Sequence, residues 1–493
     1  MIEEHSDTPS PAGSPESGVA IAPVHYEKYG VPEMDDNPLI AGLKSVTDDI
    51  PEQLDRLTLK PQFSEADRSL SASIRILLLN RLRESFFFPS DSHVHIYKET
   101  EAQIIAGYWS RNPKSASGQR LVHNAAKPGQ QIECSNLMPG LGASISFWVG
   151  PPGQGKSSLV RAIGRALGKA VIRHHLPNGT TDQIVMLVRN FTDQPNCTPK
   201  AIAKLVADRA DELLGVRDYA PLFHDKSMSR THYVSEMRRI LSSHWVGALV
   251  LDVFENVSLL GTKGEKELIA LLVNLRDELG VPLILIGTYK AAEILESASA
   301  SVTRRFVDGG LHDLRRPLSE DDEEFRAFCD VLWHYQWVRN PLPFQKDSMY
   351  KTLFDLSQGI TAVLLMLFRF AQTEAIRSGK ESITEDALKT AYNNKLFPLH
   401  QILNALRTDD RRLLDKYDDL YLRAFREIEP SESMNRLALI RKNAQGPDAA
   451  DDRPERSNPP QASQDNRYLD TASRHQVESA VMQMEGIPEE VLK

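Results

Sequence analysis

Hydrophobic and polar positions follow two regimes along this chain. Between about residues 144 and 290, short and nearly unbroken apolar runs recur at Ser144–Val149, Ile184–Phe191, Gly247–Asp252 and Pro282–Thr288. Runs of this length, rich in β-branched residues and separated by helical periodicity, predict strands of a parallel sheet covered on both faces. The intervening helices are predicted at Ser158–Leu167, Thr198–Leu214, Tyr233–Ser243 and Glu265–Leu279. Thr198-Pro199 is a good helix start, with proline in the first turn. Strands alternating with helices make an α/β unit whose ligand sits at the carboxyl ends of the strands.

Past Leu314 the spacing becomes purely helical. Glu320–Val338, Ser348–Leu356, Thr361–Ser378 and Thr384–Asn394 are each bounded by proline, glycine or a capping residue, and predict an all-α lid. A further helical pair runs to about Ile440. Ahead of the strands lies a mostly helical region, with one amphipathic helix predicted over Ser69–Ser85 and Leu70, Ile74, Leu77, Leu78 and Leu82 on its apolar face. His25–Pro38 mixes aromatics with turn residues and fits a docking segment better than a core element. The expected division is 1–24 disordered, 25–130 N-terminal region, 131–314 α/β domain, 315–400 lid, 401–440 C-terminal helices and 441–493 a tail. That tail holds a Pro-, Asp- and Ser-rich linker, Gly446–Asn466, and a short amphipathic helix, Ala472–Met484. No internal repeat is present.

Composition narrows the classes. Of 493 residues 41% are hydrophobic and 25% charged, enough for a large soluble core. Cys134, Cys197 and Cys329 are too scattered for a disulfide framework or a zinc site, which points to a reducing, cytoplasmic setting. The polar, acidic start is unlike a signal peptide, and the longest apolar run, Ile360–Phe368, is about half a membrane span, so no membrane partner is expected. The net charge of −9 disfavours nucleic acid globally, so any DNA contact needs a local basic patch.

The chemistry concentrates at Gly150-Pro151-Pro152-Gly153-Gln154-Gly155-Lys156-Ser157, followed by Ser158 at the start of a helix. A G-x-x-x-x-G-K-[ST] loop between a strand and a helix turns its backbone N–H groups inward around phosphates. Lys156 is expected on the β- and γ-phosphates and Ser157 on Mg²⁺, making ATP and Mg²⁺ the expected cofactors. Asp252, ending an apolar strand some 95 residues later, fits the second element that orients the metal. Hydrolysis also needs a carboxylate near the attacking water, commonly the next residue, and here that residue is Val253. The nearest acid is Glu255, which is either the catalytic carboxylate or a solvated loop acid. Thr288 ends the following strand and fits two compatible roles, a contact to the γ-phosphate and a helix cap. Arg304 and Arg305 are either a surface pair or a charge that reaches a neighbouring subunit's γ-phosphate.

These residues resemble an AAA+ ATPase of the TnsC/TniB group, regulators of Tn-seven-like DNA transposons. The shared core is Gly150–Ser157, Leu249–Asp252, Val281–Thr288 and Arg304–Phe306; more specific are Tyr29–Pro38, Gly107–Lys114, Leu356–Gly359 and Lys395–His400. The resemblance spans about residues 25–425. It implies an AAA+ P-loop fold with a five-stranded parallel sheet and an ATPase that assembles as a ring or filament on duplex DNA. Its implied partners are the transposase and a target-selecting protein or RNA-guided complex. Within that family fold, Lys226, Arg230, Arg238 and Arg239 are the candidates for sequence-tolerant phosphate contacts. The family's usual Asp-Glu is Asp252-Val253 here, so slow hydrolysis is expected. Two other readings remain: a replication-initiator or helicase-loader ATPase, and a non-hydrolysing ATP-binding scaffold.

Overall fold

Proline placement shapes the first elements. In the computed structural model, α1 (Pro32–Asp35), α2 (Pro38–Ala41) and α3 (Ile50–Leu57) each carry proline in the first turn, where a missing N–H leaves no bond unmade. The described residues are 24–408 except 126, 128–142, 178, 191–197, 226, 253–260 and 297–299. After a 3₁₀ turn at Glu65–Ser69 come α4 (Ala72–Leu78), α5 (Asn80–Ser85), α6 (Asp91–Trp109) and α7 (Ala116–Ala125). The α/β part then runs β1 (Ile145–Val149), α8 (Lys156–Ala166), β2 (Val171–Leu176), β3 (Gly179–Ile184), β4 (Met186–Asn190), α9 (Pro199–Leu214) and α10 (Arg230–Ser243). It continues through β5 (Ala248–Asp252), α11 (Gly261–Leu279), β6 (Leu283–Ile286), α12 (Tyr289–Glu296), α13 (Ala300–Phe306) and β7 (Leu311–Asp313). Five helices close the described chain: α14 (Glu323–His334), α15 (Lys346–Ser357), α16 (Thr361–Arg377), α17 (Glu385–Lys395) and α18 (His400–Thr408).

Five strands form one sheet in the order β4-β5-β6-β1-β7, and every pairing in it is parallel. Successive side chains alternate between two buried faces, which is why the three central strands, β5, β6 and β1, are almost wholly apolar. Phe147, Leu249, Leu251 and Leu285 join the core with residues of α9, α10 and α11. Trp148, Val250, Ile284 and Ile286 join the other core, with residues of α2, α3, α6 and α8. This is the AAA+ P-loop fold, a five-stranded parallel sheet between helical layers.

Three expectations need correction. The run at 184–191 is not one strand: Ile184 ends a β2–β3 hairpin, and at Val185 the chain changes partner, donating to Ala170 O and accepting from Ala248 N–H before β4 enters the sheet. The segment His25–Pro38 ends in the core, since Asn37 and Pro38 are buried and Asn37 Nδ2 donates to Tyr108 O at 2.8 Å. The helix expected at 69–85 is broken at Leu79, and its predicted apolar face is turned outward at Ile74 and at Leu77, which is 66% exposed. Of that face Leu82 is buried as expected and Leu78 partly so, and Arg75 and Leu79 join them on the buried side.

Arg75 can be buried because its bonds are satisfied across the fold. Its guanidinium binds both carboxylate oxygens of Glu381 at 2.7 and 2.6 Å and also donates to Trp337 O at 2.8 Å and Leu70 O at 3.1 Å. The surrounding core is that of the lid: Leu79, Leu82 and Phe86 pack with residues of α14–α18. An antiparallel bridge between Leu59 and Phe87 closes this excursion, so residues 60–86 leave the sheet layer, complete the lid and return. Within the lid α16, which carries the long apolar run, is buried by its neighbours, and among the described residues no single helix is long and apolar enough to cross a membrane.

Breaking a buried ion pair from one side leaves the partner charge stranded, at a cost of about 3–5 kcal/mol. Arg75→Met is expected to lower stability in urea unfolding by that order. A loss under about 1 kcal/mol would show that the lid does not depend on this contact. Glu381 is held below the ordinary carboxylate range, first by its hydrogen bond from Arg75. Its contribution is therefore full above the unfolded glutamate value, about 4.3, and is lost as the pH falls below it; Arg75→Met should flatten that acid limb.

Candidate nucleotide site

Strand β1 delivers the chain into Gly150, whose φ of +153° brings it so close to the β7–α14 connection that a Cβ would lie 2.5 Å from Leu314 O. Gly153 and Gly155 have φ of +85° and +80°, backbone that only glycine adopts without strain. Gly155 caps α8, so the helix begins at Lys156 with its N–H groups and positive dipole end facing the loop. Lys156 Nζ lies 2.7 Å from Gly150 O and 2.8 Å from Pro151 O, which holds the ammonium across the loop. Ser158 turns away to accept from Arg161 of its own helix at 3.2 Å.

Register brings the second element alongside. Asp252, Ile286 and Trp148 are neighbours across β5, β6 and β1, so Asp252 ends its strand beside the phosphate loop. Ser157 Oγ donates to Asp252 Oδ2 at 2.5 Å. A hydroxyl and a carboxylate joined at the head of a helix are hard oxygen donors of the kind Mg²⁺ takes, so Ser157 and Asp252 would hold such an ion, which would supply positive charge beside the loop. Thr288 lies two residues beyond Ile286 and is buried at the same edge. Next to it, Tyr289 Oη donates to Asp313 Oδ1 at 2.7 Å, while Arg315 Nε holds Asp313 Oδ2 at 2.5 Å. Burial pushes the Tyr289 phenol well up, with the Asp313 charge adding to it, so it stays a donor.

Arg304 and Arg305 sit toward the other, amino end of the strands. Just after α13, Asp308 accepts from Ile145 N–H at 2.8 Å, at the amino end of β1, whereas the phosphate loop leaves its carboxyl end. Arg304 is exposed; Arg305 is 48% exposed and 3.8 Å from Asp277. The cationic set expected on α10 is not assembled as expected. Arg230 is exposed, but Arg238 is ion-paired with Glu278, and Arg239 binds Glu236 at 2.6 Å and covers the Tyr219 ring. Lys226, Val253 and Glu255 lie outside the described residues. Among the described residues no group of three or more His, Cys, Asp and Glu side chains is placed to hold a metal.

Residues 141–295 match the protein family described as AAA domain. These residues form an AAA domain. No curated protein gives a significant match. Similar solved structures include a Walker-type ATPase of Pyrococcus abyssi, with 15% identity and a TM-score of 0.36 over 60% of this chain and 83% of that one. They also include the ORC1 protein of Aeropyrum pernix in complex with DNA (16%, TM-score 0.35, 66% and 82%) and the Thermotoga maritima RuvB Holliday junction branch migration motor (15%, TM-score 0.31, 58% and 72%). Scores this low carry no inference about what the chain does.

One contact of the AAA domain had no local signal. Gln154, a variable position of the motif, is 7% exposed and aims its side chain at the lid: Nε2 donates to Gly359 O at 2.9 Å and Oε1 accepts from Thr361 Oγ1 at 3.1 Å. Thr361 is some two hundred residues away in sequence, beyond the reach of any motif.

Removing a charged partner from a desolvated contact costs about 2–5 kcal/mol, so Lys156→Ala is expected to weaken ATP binding by roughly 30-fold or more. Ser157→Ala should leave the residual ATP affinity indifferent to Mg²⁺. Both are read by titrating a fluorescent ATP analogue with and without Mg²⁺; full affinity in Lys156→Ala would move the phosphate site elsewhere.

Proposed function

We propose that this chain is an ATP- and Mg²⁺-dependent, DNA-binding AAA+ regulator of transposition that oligomerises on duplex DNA. In this reading it works in the bacterial cytoplasm and connects a target-selecting factor, a protein or an RNA-guided complex, to the transposase. The observation that carries nucleotide binding is the Ser157–Asp252 contact at the mouth of a glycine-shaped loop. When bound, Mg²⁺ supplies charge neutralisation for the phosphates. This chain's residues do the rest: the loop N–H groups and Lys156 grip the triphosphate, and Ser157 and Asp252 hold the metal in place. Self-assembly would draw on Arg304 and Arg305, which lie near the amino ends of the strands, away from their own phosphate loop, and are exposed to a neighbouring subunit. The TnsC-like stretches at residues 29–38, 107–114, 356–359 and 395–400 support the role in transposition. The duplex contact is assigned to Lys226, Arg230, Arg238 and Arg239; of these, Arg230 is exposed and Arg238 and Arg239 carry carboxylate partners of their own that phosphates would have to displace.

Electron micrographs of the protein with duplex DNA and a non-hydrolysable ATP analogue test this reading. Rings or filaments that need both additives support it, and assembly indifferent to DNA contradicts it. Hydrolysis is expected to be slow, because losing a water-orienting carboxylate commonly costs on the order of 10²–10⁴ in rate. Val253→Glu should raise turnover and shorten the lifetime of DNA-bound assemblies. Brisk wild-type turnover that collapses in Glu255→Gln would instead make Glu255 the catalytic acid.

A further inference from the structure

The phosphate loop and the lid touch through one set of bonds. Gln154 sits between Gly153 and Gly155, the two left-handed glycines that give the loop its shape. Its amide therefore cannot stay in place if those peptides turn. Beyond the loop, the lid presents a turn with Gln358 and Gly359 both left-handed, at φ of +52° and +72°. That turn points the Gly359 carbonyl at Gln154 Nε2 and starts α16 at Thr361. α16 has no side-chain cap of its own. One of its unpaired first-turn N–H groups, that of Ala362, is satisfied by Gly153 O at 2.9 Å. The approach is also close: a Cβ on Gly153 would lie 3.0 Å from Ile360 Cγ2 and 3.1 Å from Ala362 Cβ. The loop thus caps a lid helix with its backbone and clasps it with a buried side chain.

We propose that Gln154 is a positioning residue that couples the phosphate loop to the lid, so that nucleotide in the loop fixes the amino end of α16 through Gly359 and Thr361. This rests on the proposed nucleotide site and adds how its occupancy is passed on. Binding phosphate requires the loop N–H groups to converge, which sets the Gly153-Gln154-Gly155 peptides. With those peptides set, the Gln154 amide and Gly153 carbonyl present a fixed pair of partners to α16. The lid is tied in turn to residues 60–86 through Arg75 and Glu381, so the order imposed at Thr361 reaches the N-terminal excursion. No charge passes along this route; it works by removing alternatives for a helix end that would otherwise fray.

The test is hydrogen exchange on the full chain, following the first-turn amides at 361–364 with and without a non-hydrolysable ATP analogue and Mg²⁺. Wild type should gain protection on nucleotide addition. Thr361→Val, which removes only the lid's donor, should bind the analogue within about threefold of wild type, a difference under 1 kcal/mol, yet lose most of that gain, and Thr361→Ser should restore it. Gln154→Met should lose the gain as well. The proposal is overturned if Thr361→Val gains protection as wild type does, or if it loses nucleotide affinity as Lys156→Ala does, which would make Thr361 a binding residue. If wild type binds no nucleotide, the functional reading fails by itself. The coupling is then judged from nucleotide-free samples: faster exchange at 361–364 in Thr361→Val and Gln154→Met upholds the clasp, and unchanged exchange removes it.

Discussion

The hydrogen bond between Ser157 and Asp252 depends on the register of the whole sheet. Asp252 ends β5 beside Ile286 of β6, which lies beside Trp148 of β1, and two residues beyond Trp148 the chain enters the phosphate loop at Gly150. A slip of one residue between any two of these strands would turn the carboxylate to the opposite face, away from α8. The apolar side chains that fill both faces are what forbid the slip. Burial in the two cores thus has a chemical consequence: it places one hydroxyl and one carboxylate within bonding distance although 95 positions separate them in sequence.

The lid is made from both sides of that sheet in sequence. Residues 60–86 precede the AAA domain but pack among α14–α18, and Arg75 reaches Trp337 and Glu381 from there. A lid closed by an N-terminal insertion cannot swing as an isolated bundle. Its motion has to be shared with the Leu59–Phe87 crossing, and Phe87 lies 3.9 Å from the position a Cβ would take on Gly155. The phosphate loop is therefore flanked by the lid on one side, through Gln154, and by the N-terminal crossing on another.

Local rules made the nucleotide site legible. The glycine spacing, the strand ending in Asp252, the proline that opens α9 and the cap at Thr384 all come from short-range chemistry; Thr384 accepts from Ala387 N–H, and Thr198 caps α9 as well. Legibility failed where a distant partner decides. Arg75 is indistinguishable from a solvated helix charge until Glu381 is beside it. The β2–β3 hairpin escaped because its residues are mostly polar, with His174 and Gln183 bonded to each other at 2.8 Å inside the fold. The long helix α6 was missed because its buried side includes Thr100 and Glu101, so its apolar residues mark no single stripe. On α10, sequence showed Arg238 and Arg239 as free charge, and only Glu278 and Glu236 reveal them as paired.

The central claim is that one loop, held between β1, α8 and the lid, binds a triphosphate together with a divalent metal. Calorimetric titration of the full chain with ATP, in Mg²⁺ and in excess chelator, tests it most directly. A single saturable site that tightens several-fold with Mg²⁺ is the predicted result. Absence of saturable binding, or an affinity identical with and without the metal, would contradict the account.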